Sequence, residues 1–125
     1  MKPNYRIAIV DDDDGVRQSL SSLVRALGYE VRTYACAADF LADAGDPPDC
    51  LLTDVQMPQM DGDQLQAELL ARGCRFPMIF MTAFPTDVLR ARVMARGARA
   101  FLVKPVDGET MSRCLAQALG DHTSV

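Results

Sequence analysis

Short apolar runs alternate with stretches of helical periodicity five times along the chain. The first run, Arg6–Val10, precedes Val16, Leu20, Leu23, Val24 and Leu27, which recur at helical spacing up to Gly28. Asp13 or Asp14 suits the cap of that helix. Glu30–Tyr34 alternates like a half-buried strand, and Ala37–Ala44 reads as a short helix stopped by Gly45 and the Asp46-Pro47-Pro48 break. Cys50–Thr53 is the most apolar run, closed by Asp54. The next helix covers Gly62 to Arg72 on Leu65, Leu69 and Leu70, and Gly73 ends it. Pro77–Met81 is the fourth strand, entered through a proline that fits a strand's first residue. Thr86–Arg96 is helical, Ala100–Val103 is the fifth strand, and Gly108–Leu119 is the fifth helix.

Five strand–helix units with short connections predict an α/β domain with a parallel sheet, because right-handed crossovers place helices on both faces. Strands covered on both sides read as continuous apolar runs, as Cys50–Thr53 and Met78–Met81 do. The expected form is a doubly wound, flavodoxin-like five-stranded sheet, ordered 2-1-3-4-5, with five helices. In that order ligands gather at the carboxyl ends of strands 1 and 3. A single domain is expected over residues 1–125, with its core at about 6–119. Gly120–Val125 is either a natural end or the start of a linker.

The strand ends carry the chemistry. Asp11-Asp12-Asp13-Asp14 follows the first strand and Asp54 closes the third. Packing like charges there is unfavourable unless something positive offsets them. Hard oxygen ligands without imidazole or thiol suit a cation such as Mg2+. Thr82 follows the fourth strand, and Lys104, before Pro105, follows the fifth as a natural counter-charge. An X-Pro bond is one where cis geometry is cheap. Taken alone, Lys104 reads as a surface lysine; its company changes that.

Charge and composition narrow the classes. A net charge of -4 gives no general reason to bind nucleic acid. No apolar stretch approaches the roughly 20 residues of a membrane span, and Met1-Lys2-Pro3-Asn4 leads into a strand without a secretory signal. The cytoplasm is therefore the expected compartment. Cys36, Cys50, Cys74 and Cys114 lack a CxxC pattern and read as reduced, structural residues. Asp13 and Asp14 read as helix-start residues favoured by the macrodipole, Asp61 as a turn residue, and Met57 and Met60 as loop packing. His122 sits in a polar tail and is not expected to donate phosphate. Arg90, Arg92, Arg96 and Arg99 read first as a solvated face and second as a docking surface.

Together these residues resemble the receiver domain of bacterial two-component response regulators. The resemblance runs from about Arg6 to Leu119. It rests on Val10-Asp11-Asp12, on the run from Asp54 through Met57-Pro58-Gln59-Met60-Asp61-Gly62, on Thr82-Ala83, Gly97-Ala98 and Lys104-Pro105. Its general look is that of FixJ-type receivers, which usually precede a helix-turn-helix DNA-binding domain.

The resemblance implies that Asp54 is the phosphoacceptor, taking a phosphoryl group from a sensor histidine kinase, with slow self-dephosphorylation and no true enzymatic turnover. It implies a Mg2+ site, which Mn2+ can share. Asp12 would bind the ion directly and Asp11 mostly through water, with an Asp54 oxygen and the Gln56 backbone carbonyl completing the protein ligands. Thr82 and Lys104 would hold the phosphoryl oxygens. Thr82 and the aromatic Phe101, expected to turn inward, would switch a surface made of helix 4, strand 5 and helix 5. That surface would control dimerisation or an output domain, in the transcriptional case one that binds DNA. Gln56 and Phe84 flank the phosphoryl position in this family, and large, apolar Phe84 is expected to cover it and exclude water. Two rivals are a Mg2+-dependent phosphatase of the haloacid dehalogenase type and a receiver that binds without phosphorylation. The first needs a cap that 125 residues do not provide, and the intact acidic set argues against the second.

Overall fold

The computed structural model describes residues 4–43 and 45–120. In chain order the elements are β1 (Arg6–Val10), α1 (Asp14–Ala26), β2 (Glu30–Tyr34), α2 (Ala37–Ala42), β3 (Cys50–Asp54), α3 (Gly62–Ala71), β4 (Met78–Thr82), α4 (Asp87–Ala95), β5 (Ala100–Val103) and α5 (Gly108–Gly120). The strands form one parallel sheet in the order β2-β1-β3-β4-β5, as the alternation of runs predicts.

Side chains of successive strand residues leave opposite faces of the sheet, and the core divides accordingly. Ala8, Val10, Leu51, Met78, Phe80 and Phe101 join a cluster with Phe40, Leu65, Leu69 and Val93 of α2, α3 and α4. Ile7, Ile9, Cys50, Leu52, Ile79 and Met81 join another with Leu20, Val24, Met111 and Leu115 of α1 and α5. β3 and β4 are buried along their whole lengths, so each large aliphatic side chain there contributes about 1.5–3 kcal/mol. β2 lies at the sheet's edge, pairs among the described residues with β1 alone, and is mostly exposed rather than evenly half-buried.

Several boundaries differ from the sequence-based expectation. α2 ends at Ala42, because Asp43 turns extended and its carboxylate engages the Tyr34 hydroxyl and the Gly45 amide. Ala44, the expected last residue of that helix, lies outside the described residues. β4 starts at Met78 instead of Pro77, though the Pro77 carbonyl still accepts from the Leu51 amide at 2.9 Å. β3 and β4 each run one residue further than expected, so Asp54 and Thr82 are strand residues held by the sheet itself.

Candidate functional site

Parallel register delivers the polar strand ends to one place. Val10 pairs with Thr53, Asp54 with Met81, and Thr82 with Val103. One residue beyond these pairs the ladder continues. The Asp11 amide donates to the Tyr34 carbonyl at 3.1 Å, and the Lys104 amide to the Thr82 carbonyl at 2.8 Å. Asp11, Asp54 and Thr82 are 0%, 5% and 0% exposed, while Asp12 faces solvent. Oxygens from Asp11, Asp12 and Asp54 lie within 4.8 Å of one another. Lys104 Nζ sits 2.8 Å from Asp11 Oδ2 and 3.2 Å from Asp54 Oδ1. The Lys104–Pro105 bond is cis.

Electrostatics follow from that crowding. Burial first, and then the neighbouring Asp11 charge, push the Asp54 carboxyl up to about 6. Lys104 and a 2.9 Å bond from the Val55 amide pull it down but do not win. Burial opposes the charge on Lys104, yet its bonds and attraction to Asp11 and then Asp54 outweigh that and raise its pKa. Three carboxylates face one ammonium, so negative charge is in excess. The donor set is all oxygen and fits a hard divalent cation. Asp11 accepts one bond on each oxygen, from the Asp13 amide and from Lys104, and a carboxylate retains further lone pairs for a ligand.

Local bonds explain how the loops hold this arrangement. The Asp13 carboxylate caps α1 by accepting from the Val16 amide, and Asp14 pairs with Arg17. Both are helix-start residues, as expected. Arg17 also donates to the Asp11 carbonyl at 2.7 Å, bracing the turn that presents Asp11 and Asp12. Sequence reasoning missed this role; the available signal was an arginine three residues after Asp14, at helix-face spacing. Asp61 caps α3 in a reciprocal box with Gln64. Gly62 reads in the sequence as a motif residue and helix start, with no sign that a Cβ there would stand 2.4 Å from the Asp54 carbonyl oxygen. Met57 is buried and Met60 packs on the same cluster, matching their loop-packing role.

The remaining candidates separate. Thr82 Oγ1 donates to the Gln56 side-chain carbonyl and accepts from the Phe84 amide at 2.9 Å. Phe101 is 9% exposed and inside the cluster that faces α2, α3 and α4, so its ring is already inward. Phe84 departs from expectation. The residue is 71% exposed, which does not describe a packed cover over Asp54. Thr82 Oγ1 accepts from the Phe84 amide and so ties the backbone there, not the side chain. Arg92 pairs with Asp63, and Arg96 donates to the Asp63 carbonyl at 3.1 Å, so part of the arginine group ties α4 to α3. The four cysteines are free, and burial pushes Cys50 up to about 12. His122 lies outside the described residues. Among the described residues, no helix is long and apolar enough to cross a membrane.

Comparison with known proteins agrees with this geometry. The profile of the response regulator receiver domain matches residues 7–116. The transcriptional regulatory protein FixJ of Azorhizobium caulinodans is 39% identical over 122 residues, covering 96% of this chain and 57% of that protein. The response regulator protein TmoT of Ectopseudomonas mendocina is 37% identical over 114 residues, covering 90% and 52%. This chain thus spans about half the length of the curated relatives it matches. The crystal structure of FixJ-N superposes with a TM-score of 0.86 at 29% identity, covering 100% of this chain and 99% of that one. With acidic strand ends, a facing lysine and the 2-1-3-4-5 sheet in place, the chain belongs to the response regulator receiver domain family.

Proposed function

We propose that this receiver accepts a phosphoryl group on Asp54 from a sensor histidine kinase and uses the acyl phosphate to switch its α4–β5–α5 surface. One observation carries the reading: Asp54 is a nearly buried carboxylate whose lysine and amide bonds both fall on Oδ1, beside two further carboxylates. That leaves Oδ2 as the nucleophile. It attacks phosphorus as the P–N bond of the phosphohistidine breaks, and the electron pair returns to the imidazole. Lys104 and the Thr82 hydroxyl hold the transferred oxygens. Asp11, Asp12, Asp54 and the Gln56 backbone carbonyl would hold Mg2+, or Mn2+ in its stead. When bound, that ion neutralises phosphoryl charge so that an anionic nucleophile can approach.

The output reading is carried by exposed apolar side chains. Val88 of α4 and Val103 of β5 are large, apolar and solvent-facing, as is Phe84 just before α4. Such residues suit association with a second copy or an attached domain. The named relatives are regulators about twice as long, which supports a transcriptional output through a DNA-binding domain in a longer chain, in the cytoplasm. The acidic domain itself has no charge basis for touching DNA.

The test is brief incubation with acetyl phosphate and Mg2+, read by intact mass. Wild type is expected to gain one phosphoryl group, and Asp54→Asn none, with its fold retained. Turnover of phosphate esters would indicate a phosphatase, and absence of any wild-type adduct a receiver that binds without phosphorylation.

A further inference from the structure

We infer that the Gln56 side chain is a latch that withholds the Thr82 hydroxyl from the phosphoryl position and so sets how readily the receiver switches. The inference rests on the phosphoacceptor reading of Asp54. A threonine hydroxyl has one proton to give. Here that proton goes to Gln56 Oε1, while the oxygen accepts the Phe84 amide at 2.9 Å. Thr82 itself is fully buried, and Gln56 is exposed. The bond therefore reaches from the end of β4 to the loop after β3, across the mouth of the site.

Bonding a phosphoryl oxygen on Asp54 requires that same proton. The two acceptors compete, and Gln56 must release the hydroxyl first. A β-branched side chain hops between few staggered wells, so the exchange is discrete. The hop also removes the acceptor of the Phe84 amide. Breaking the latch thereby unties the β4–α4 loop, where Phe84 and Val88 stand exposed. Gln56 is thus a positioning residue acting through Thr82, distinct from any ligand role of its backbone carbonyl. It delays switching until the phosphoryl group outbids it for one hydrogen bond.

The experiment is a double-mutant cycle at saturating Mg2+, with beryllium trifluoride as a non-covalent phosphoryl mimic and its affinity read by 19F NMR. Gln56→Leu and Gln56→Ala each remove the acceptor at an exposed position. Each is expected to tighten mimic binding about fivefold, the worth of one neutral hydrogen bond. In a Thr82→Val background, which lacks the hydroxyl, the same substitutions are expected to change nothing. An equal gain with and without the hydroxyl, or no gain in either Gln56 variant, overturns the latch while leaving the phosphoacceptor reading intact. If wild type with Mg2+ binds no mimic, both readings fall together.

Discussion

Behind the Asp54 carboxylate the backbone of α3 comes so close that only a hydrogen fits. The Gly62 amide donates to the Val55 carbonyl at 2.7 Å, and an added methyl would press on the Asp54 carbonyl and the Val55 Cα. The obstacle is backbone, which cannot swing aside as a flexible side chain would. Gly62→Ala is therefore expected to cost about 1–3 kcal/mol by overpacking, and to slow phosphoryl uptake by displacing the nucleophile. Thermal unfolding and adduct yield against acetyl phosphate measure both; an unchanged melting point would refute the close-approach argument. At this scale the sequence was informative wherever position along a strand decides the outcome. Asp11, Asp54, Thr82 and Lys104 converge because each terminates a recognisable run, and the sheet order does the rest. The Thr82–Gln56 bond and the Arg17 brace were invisible, since both depend on rotamers and partner choice that hydrophobic patterning does not encode.

Elements differ in how firmly they are held. β3 and β4 are wholly buried, whereas α4 carries one buried residue, Val93. Leu89 packs partly buried on the same cluster, and the remaining ties are polar: Arg92 to Asp63, Arg96 to the Asp63 carbonyl, and the buried Gln66 amide to the Val93 carbonyl at 3.0 Å. Among the described residues Gln66 Oε1 finds no partner, a penalty that keeps the α3–α4 contact from being optimal. A helix with so little apolar anchorage is the natural one to shift when its preceding loop is released. That loop is also where the sequence misled. A large apolar residue beside Thr82 reads as a cover, but the direction of its ring depends on a backbone pinned by the Thr82 hydroxyl. With Phe84 largely exposed, Phe84→Ala is expected to leave the acyl-phosphate decay rate within about twofold of wild type. A severalfold acceleration, measured after removal of phosphodonor, would restore the covering role. The early end of α2 has a similar origin, because Asp43 finds polar partners that helical periodicity does not register.

For the molecule as a whole, the raised Asp54 pKa links stability to pH with a definite sign. The folded chain holds that proton more tightly than the unfolded chain, from about 3.8 up to about 6. Stability from this group is full below the lower value and is lost as pH climbs through the upper one, by about 1 kcal/mol after solvent screening. In chelator, the melting point is expected to fall between pH 4.5 and 7.5. Asp54→Asn should flatten that slope, and saturating Mg2+ should oppose it by binding the folded state. An equal fall in Asp54→Asn would move the cause elsewhere. The sheet's outer boundary carries a different consequence. Among the described residues, β2 leaves one side of its backbone ladder without a neighbouring strand, a ready template for another chain. Glu30 and Arg32 stand exposed along it. A second chain adding itself there would have to crowd those charges, so the domain carries its own guard against fibril-like stacking. Any contact between copies would thereby be steered away from open backbone and towards side chains, where it can be reversed.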